Sequence, residues 1–551
     1  MIILEFFLFI LSIIIFSISI AGLGNILSSN IKSDFFSDIF LGFIIISTII
    51  TIFHFFYEVE IYFNLLVFLI GVFIFFKKKN ILSFKISIQK KEIFYILTIL
   101  FLIPMFISQK YHEDFGYYHL PYALAFLEEK IVFGFSNIDK SFVYNSIWLN
   151  LYSFFFLEDK NYNFLTFPSF LLFIIFILFS MDKILKKKKT LKISDYYLIV
   201  VLFYFLLKFT RISEFGVDYP ASIFAVLSIF YFFKFYETSK EIEKKSFFYF
   251  NLAFSFFSIL IKLSSLPMII LPVYLYFSNF KKLKLYIFNT QFLLLYFLGL
   301  VFFIQQFIYT GCFLFPSNFT CLNVSWFNFE YLNLSSYLEL VNKSYATADD
   351  MYSPEDYLKN LTWLSFWFKR NIIEIFEHLL TIILPSLIFL SVLKKNNYKT
   401  NTINRESFIY FFCFVYLFFW LNFSPVVRFA IPIFLTLIFI IFSRFFIEKK
   451  ISINILLIFI FIFLMFNFSK NIMRIKDTEK VFLGIEQIEN KYLLNKKDSN
   501  KHANIYYPDI KKNIKNGWQG RLCWDIPFIC SYNKLEVSKK NGYLILNKIK
   551  N

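Results

Sequence analysis

Several common enzyme signatures are missing from this sequence. It contains no GxxxxGK[ST] phosphate-binding loop, which excludes ATP hydrolysis by P-loop chemistry, and no GxSxG nucleophile elbow. The pair His112-Glu113 is not followed by the second histidine of an HExxH helix, so a zinc hydrolase is not expected. No clear internal repeat, a feature of many transporters, is visible. Because the phosphate-binding loop is missing, the energy for any synthetic reaction must arrive with an activated substrate.

The sequence is instead rich in long apolar segments. Hydrophobic residues make up 58% of the chain and form many spans that could cross a bilayer core of about 30 Å. Because such spans satisfy their backbone hydrogen bonds in lipid as helices, the sequence predicts an all-α polytopic membrane protein. Residues 1–22 lack a basic segment and a clear cleavage site, so we expect a retained first helix and not a signal peptide.

About fourteen transmembrane helices are predicted, and the lysines test their arrangement. The spans lie near residues 2–22, 38–57, 60–76, 92–109, 162–180, 195–210, 219–236, 247–263, 265–279, 286–309, 373–393, 407–422, 427–446 and 451–469. The net charge of +18 comes largely from short lysine runs between spans, all on one side of this topology. Basic loops are typical of the cytoplasmic side, so topology explains the charge and nucleic-acid binding is not expected. Both termini then lie outside.

The opposite, external side receives every distinctive polar cluster of the sequence. It carries the large loops 109–161 and 310–372. We divide the chain into N-terminal helices (1–91), a transmembrane core (92–469) and a small soluble α/β tail domain on the external, periplasmic side (470–551). In the tail, 503–508 predicts a strand, and 535–547 predicts a hairpin that turns at Asn541-Gly542.

Four of the five cysteines form close pairs on the predicted external side. Cys312 and Cys321 share the 310–372 loop, and Cys523 and Cys530 share the tail. These pairs predict two disulfides in an oxidising compartment. Zinc binding by CWDIPFIC is disfavoured, because no second ligand pair accompanies it.

The 310–372 loop contains two further signals. Ser353-Pro354, followed by two acids, predicts the start of a helix. Trp363 and Trp367 stand four apart, on one face, just before the next span. We expect an interfacial aromatic anchor, with a platform for a sugar or lipid head group as the alternative.

The stretch YHEDFGYYHLP (111–121) directly follows a hydrophobic span. A carboxylate there can meet a water-soluble and a lipid-borne substrate together, so Asp114 is the first candidate for a catalytic base, with Glu113 beside it. Tyr118 and His119 are candidates for substrate binding, although a solvated loop acid and hydrogen-bonded interfacial histidines are the simpler alternatives. A divalent cation, Mg²⁺ or Mn²⁺, held by the two acids and one histidine remains open.

A second acidic turn, TRISEFGVDYP (210–220), lies on the same predicted side. Glu214 and Asp218 are four residues apart and would share one face of a helix. Each is a candidate catalytic acid, and each is alternatively an ordinary solvated loop residue.

Three cations line the same predicted rim. Arg211 precedes the second acidic turn, Lys262 lies in LIKLSSLP, and Arg428 follows SPVV. A charge in apolar surroundings costs about 2.5–3.5 kcal/mol at mid-bilayer on insertion scales, so each should have a partner. For Arg428 a protein carboxylate and a lipid phosphate, which a guanidinium binds through a bidentate fork, are both open.

The arrangement resembles the GT-C superfamily of integral-membrane glycosyltransferases, which have many helices, an acid opening the first large external loop, and a second acidic external turn. It is also similar to a poorly characterised group of large bacterial envelope membrane proteins. The strings assigned to that group are DFGYYHLP (114–121), GVDYPA (216–221), KLSSLP (262–267), TGCFLFP (310–316) with Trp326, SPVVRFA (424–430) and CWDIPFIC (523–530).

The resemblance implies a role for each of these residues. Asp114 would be the base on the acceptor, Glu214 or Asp218 would assist or bind metal, and Lys262 with Arg428 would hold the phosphate of a polyprenyl-phosphate sugar donor. In the superfamily the first acid usually follows the first helix, whereas here it follows the fourth predicted helix.

The resulting hypothesis is a glycosyltransferase on the outer face of a bacterial inner membrane. It would use a polyprenyl-phosphate-linked sugar and a glycan, lipid or protein acceptor. A surface-glycan polymerase or ligase is the first alternative, and a lipid-glycan flippase or transporter is the second.

Overall fold

A computed structural model of the chain is mostly helical. It describes residues 2–78, 90–108, 114–155, 165–186, 191–210, 216–395, 406–447, 449–477, 494–499, 502–509, 511, 522–524, 526–531 and 533–549. The helices are α1 (Ile2–Ser28), α2 (Phe35–His54), α3 (Ile61–Lys78), α4 (Lys90–Ile107), α5 (Leu120–Glu128), α6 (Ile147–Phe155), α7 (Phe167–Leu185), α8 (Ile193–Lys208), α9 (Asp218–Glu237), α10 (Glu241–Ile261), α11 (Ile270–Ser278), α12 (Phe280–Leu283), α13 (Thr290–Thr310), α14 (Leu334–Asn342), α15 (Pro354–Leu358), α16 (Thr362–Val392), α17 (Glu406–Phe423), α18 (Ile431–Ile447) and α19 (Ile453–Asp477). The strands are β1 (Lys394–Lys395), β2 (Lys449–Lys450), β3 (Leu494–Ser499), β4 (Asn504–Pro508), β5 (Leu535–Lys540) and β6 (Tyr543–Lys548).

Many of these helices have the length and composition of membrane spans. Within the described residues, nine are long and apolar enough to cross a membrane, or ten if the bent pair Leu263–Ser278 and Phe280–Phe288 is one span. Two further apolar helices, Ile93–Ile107 and Val427–Ser443, are shorter. Helix α10 is not in this set, and its first five residues, EIEKK, are mostly charged. An all-α polytopic membrane protein is therefore confirmed, whereas the total of about fourteen spans stays a prediction.

The two ends of the helical bundle differ in chemistry. At one, which we call the lysine end, Lys183 pairs with Asp34, and Lys282 pairs with Glu241. At the other, the site end, Asp218 begins α9. Lys183 and Lys282 therefore lie at the opposite end of the bundle from Asp218, and which end faces the cytoplasm stays a prediction.

The first three helices approach one another backbone to backbone. A Cβ atom on Gly22 of α1 would lie 1.8 Å from the carbonyl oxygen of Gly71 in α3. One on Gly24 would lie 1.7 Å from the carbonyl oxygen of Asp38 in α2. Only hydrogen fits in these places, and small residues are typical of close membrane-helix contacts. Glycine at both positions therefore lets α1 contact α2 and α3 closely.

The tail contains two antiparallel strand pairs, β3 with β4 and β5 with β6. The predicted strand at 503–508 is confirmed as β4. The predicted hairpin is confirmed as β5–β6, with Asn541 and Gly542 at positive φ angles of 51° and 80° in its turn. Beyond the end of α19 at Asp477, the named regular elements in the described part of the tail are strands, so its mixed α/β character stays a prediction.

Both predicted disulfides are present. Cys312 is bonded to Cys321, and Cys523 is bonded to Cys530. The fifth cysteine, Cys413, is free and buried. The first disulfide closes a short hairpin after α13, and the second closes a loop in the tail.

The long 310–372 loop is structured by short helices. The side chain of Ser353 accepts a hydrogen bond from the backbone N–H of Asp356 at the start of α15. This N-cap, with Pro354 as the first residue of the helix, confirms the predicted helix start.

Candidate functional site

The two acidic segments meet at the site end. The first begins at Asp114 and continues as a π-helix, Phe115–His119. The second contains Gly216, whose φ angle is +45°, and a Cβ atom there would lie 2.4 Å from Cε1 of the His119 ring. The backbone at Gly216 therefore rests directly on the imidazole, an approach that glycine allows. His119, a predicted substrate-binding residue, is 3% exposed behind this turn.

Asp218 binds two cations. Its Oδ1 accepts a hydrogen bond from Lys262 Nζ, and its Oδ2 accepts one from Arg428 Nε at 2.5 Å. The exposed side-chain fractions are 10% for Asp218, 21% for Lys262 and 43% for Arg428. Lys262 Nζ also lies 3.3 Å from the centroid of the Phe429 ring, a cation–π contact. Of the two partners considered for Arg428, the protein carboxylate is thus present. We call Asp218, Lys262 and Arg428 the ion cluster.

Asp114 and Tyr118 lie beside the ion cluster. Burial raises the pKa of the Tyr118 phenol well above its usual value, and the nearby carboxylates of Asp114 and Asp218 act in the same direction. The phenol therefore keeps its proton at neutral pH and can donate a hydrogen bond. Asp114 also interacts electrostatically with Lys262 and with Arg428. The site end thus combines two carboxylates, a neutral phenol and two cations.

Two tryptophans hold the turn between α17 and α18. Trp367 Nε1 in α16 donates a hydrogen bond to the carbonyl of Pro425 at 2.7 Å. Trp420 Nε1 in α17 donates one to the carbonyl of Val426 at 2.8 Å. Trp363 and Trp367 are 2% and 3% exposed because protein packs around both rings. The prediction that they form an interfacial anchor is therefore wrong, and so is the alternative of an open platform.

Replacing Trp367 with phenylalanine is expected to lower the free energy of unfolding by about 1–3 kcal/mol, because the Pro425 carbonyl loses its donor in a buried place. Denaturant unfolding of the purified protein in detergent measures this change. Trp363→Phe removes a similar volume next to Lys343 and is the matched control, because no hydrogen bond joins Trp363 to the turn in the described structure. Equal losses in both variants would show that ring volume, and not the N–H group, matters.

A neighbouring polar group was not predicted from the sequence. His378 Nδ1 lies 2.7 Å from the Tyr204 hydroxyl, and His378 Nε2 lies 3.8 Å from Glu374 Oε1. Glu374 also interacts electrostatically with Arg428, so this group borders the ion cluster. The sequence feature that could have predicted this group is an acid and a histidine, Glu374 and His378, four residues apart inside the apolar span predicted at 373–393. Ionisable residues within a span are costly and often functional.

Three predicted site residues, Glu113, Arg211 and Glu214, lie outside the described residues. Within the described ranges, no group of three or more His, Cys, Asp and Glu side chains could hold a metal ion. Asp218 already gives both carboxylate oxygens to cations. The described residues therefore do not fit Mg²⁺ or Mn²⁺, and a metal held by Asp114, Glu113 and a histidine stays a prediction.

The chain belongs to a protein family described as "Domain of unknown function (DUF8201)", whose model matches residues 1–435. This stretch contains Asp114 and the whole ion cluster, and the tail strands lie beyond it. No curated protein and no solved structure matches the chain.

Proposed function

We propose that this protein is a membrane glycosyltransferase that moves a sugar from a polyprenyl-phosphate donor to a glycan, lipid or protein acceptor of the cell envelope. One observation carries the proposal: Asp114 lies beside the ion cluster, at one end of a bundle of membrane-length helices. A carboxylate can accept the proton of a hydroxyl group, and adjacent cations can stabilise a departing phosphate. The resemblance of the sequence to the GT-C superfamily supports the same assignment.

Asp114 acts as the general base in this reaction. It takes the proton of the acceptor hydroxyl while that oxygen attacks the anomeric carbon of the donor sugar. The bond from the anomeric carbon to the phosphate oxygen breaks, and its electron pair leaves with the phosphate. The configuration at the anomeric carbon is inverted because a single displacement occurs. The activated donor supplies the energy, so no ATP-binding loop is needed.

Arg428 is suited to hold the leaving phosphate. Its Nε donates to Asp218, which fixes the plane of the guanidinium. No other hydrogen bond to this guanidinium is present in the described structure, so Nη1 and Nη2 can offer a bidentate fork to phosphate. Lys262 adds a second positive charge. Asp218, predicted as a catalytic acid, then acts through the cations as a positioning residue, because both its oxygens are already bound.

An apolar helix surface leads directly to this arginine. Phe418 and Phe423 of α17 are 60% and 63% exposed, and the turn that carries Arg428 follows α17. A polyprenyl chain in the bilayer can lie along this surface while its phosphate reaches the guanidinium. The donor therefore enters from the lipid, and the acceptor enters from water.

The site end faces the outside of a bacterial inner membrane in this proposal. Basic segments concentrate on the cytoplasmic side of membrane proteins, which places the lysine end inside and both termini outside. Two disulfides support the same orientation, because they persist in oxidising compartments such as the periplasm.

Mass spectrometry of surface glycans from a deletion strain tests the proposed function. We expect the deletion to remove one sugar, and the wild-type protein to restore it. Asp114→Asn, expressed at the wild-type level, should not restore it, since loss of a general base costs about 10²–10⁴-fold in rate. The control Asp350→Asn changes an exposed acid of the 310–372 loop and should restore the sugar.

Other outcomes would favour the alternatives. If Asp114→Asn restores the wild-type glycan while Arg428→Ala does not, a polymerase or ligase that relies on its arginine becomes the better proposal. If the deletion leaves every sugar in place but lipid-linked glycans accumulate inside the cell, transport becomes the better proposal.

A further inference from the structure

The tail packs its disulfide-closed loop onto the segment that begins at Asp114. The backbone N–H of Trp524 donates a hydrogen bond to the carbonyl of Gly116 at 2.9 Å. A Cβ atom on Gly116 would lie 2.4 Å from Cδ2 and 2.6 Å from Cε2 of the Trp524 indole. The indole, 2% exposed, therefore lies directly against the backbone two residues beyond the proposed base.

Further contacts join the tail to residues that follow Gly116 in the sequence. The backbone N–H of Phe528 donates to Glu128 Oε2 at 2.8 Å, and Ser531 Oγ donates to the carbonyl of Ile138 at 3.1 Å. Phe133 exchanges two backbone hydrogen bonds with strand β6. Residues 114–138 are thus held by the tail at several points along their length.

The Cys523–Cys530 disulfide closes the loop that contains both Trp524 and Phe528. A closed loop has fewer conformations to lose when it docks than an open chain of the same length. The disulfide therefore favours the docked arrangement.

We propose that Trp524 is a positioning residue that sets the place of Asp114, with the disulfide loop as its support. This inference rests on the proposed function, in which Asp114 is the base. Trp524 does not touch the reacting atoms and acts through the backbone at Gly116. A misplacement of about 1 Å at a reacting group can cost about 100-fold in rate. Docking of the tail therefore controls kcat more than the affinity for substrate.

Hydrogen–deuterium exchange of the full-length protein, combined with kinetics, tests this role. Trp524→Ala should speed exchange in the peptide that covers 114–121 and lower kcat by about tenfold or more, with little change in KM. Both variants keep the backbone N–H that donates to Gly116, but Trp524→Phe also keeps an aromatic ring against this glycine, so it should preserve most of the wild-type exchange and kcat. A variant that merely weakened the whole fold would speed exchange throughout the bundle.

The two disulfides provide a matched pair of variants. Cys523→Ser with Cys530→Ser should speed exchange in 114–121 in the same way as Trp524→Ala. Cys312→Ser with Cys321→Ser removes the other disulfide and should leave 114–121 protected. If Trp524→Ala does not fold, Glu128→Ala, which removes one anchor of the same loop, gives the same exchange measurement.

The exchange measurement tests the positioning role, and the transfer assay tests the proposed function, so either can be overturned without the other. Unchanged exchange in 114–121 for both Trp524→Ala and the Cys523/Cys530 variant would overturn the positioning role, whatever reaction the protein catalyses. Faster exchange at 114–121 with a wild-type protein that transfers no sugar would instead overturn the proposed function. Faster exchange with unchanged kcat would show that the contact orders the segment without serving catalysis, which also overturns the inference.

Discussion

Replacing Asp218 with asparagine is expected to lower the free energy of unfolding by about 3–5 kcal/mol. The carboxylate is the shared partner of Lys262 and Arg428, and it is only 10% exposed. Its removal leaves the largely buried Lys262 ammonium without an opposite charge in direct contact. Because a buried charge without a counter-charge costs far more than the pair contributes, the loss should be greater than for any exposed acid of the protein.

Chemical unfolding in detergent measures this loss. Two further variants, a control and a rescue, show whether the unpaired ammonium causes it. Asp350→Asn removes an exposed acid and should leave stability within experimental error of the wild type. Asp218→Asn combined with Lys262→Met removes the buried ammonium as well and should recover most of the loss, since Arg428 is 43% exposed and can reach water. A single variant as stable as the wild type would show that the ion cluster is not a structural element.

Replacing Arg428 with alanine is expected to reduce kcat by about 10²–10³-fold, the cost of removing one group that stabilises developing negative charge. Stability should change less than in Asp218→Asn, because Asp218 keeps its contact with Lys262. The two variants of the same ion pair thus differ in their main effect: Asp218→Asn chiefly lowers stability, and Arg428→Ala chiefly lowers kcat.

Arg428→Lys separates charge from geometry. Lysine keeps the positive charge but lacks the planar fork that binds phosphate through two nitrogens, so its kcat should fall between those of the wild type and Arg428→Ala. Arg370→Ala removes an exposed arginine of α16 and serves as the control. Transfer assays with a prenyl-phosphate sugar measure these rates, and a wild-type rate in Arg428→Ala would exclude this residue from phosphate binding.

Features that depend on neighbours in sequence were predicted well. The Ser353 cap and the Asn541-Gly542 turn follow from local backbone preferences. The disulfides follow from cysteines that are nine and seven residues apart. In each case the interacting residues lie at most nine positions apart, so a short stretch of sequence is enough to predict the interaction.

For features that join distant segments, the sequence identified candidate residues but not the contacts between them. Asp218, Lys262 and Arg428 were each identified as candidates, but no local pattern shows that one carboxylate binds both cations across 44 and 210 residues. The same limit explains the error at Trp367. Its spacing from Trp363 fits an interfacial anchor, whereas its burial is caused by a turn from a different helix pair.

The order in which the ion cluster is synthesised has a consequence for membrane insertion. Lys262 follows Asp218 by 44 residues, one helical hairpin, whereas Arg428 follows it by 210. At about 5–20 residues per second, the ribosome makes the lysine within about 2–9 s and the arginine after about 10–40 s. Asp218, at the start of the membrane-length helix α9, therefore gains the positive charge of Lys262 before Arg428 is synthesised, which lowers the cost of placing the carboxylate near the bilayer.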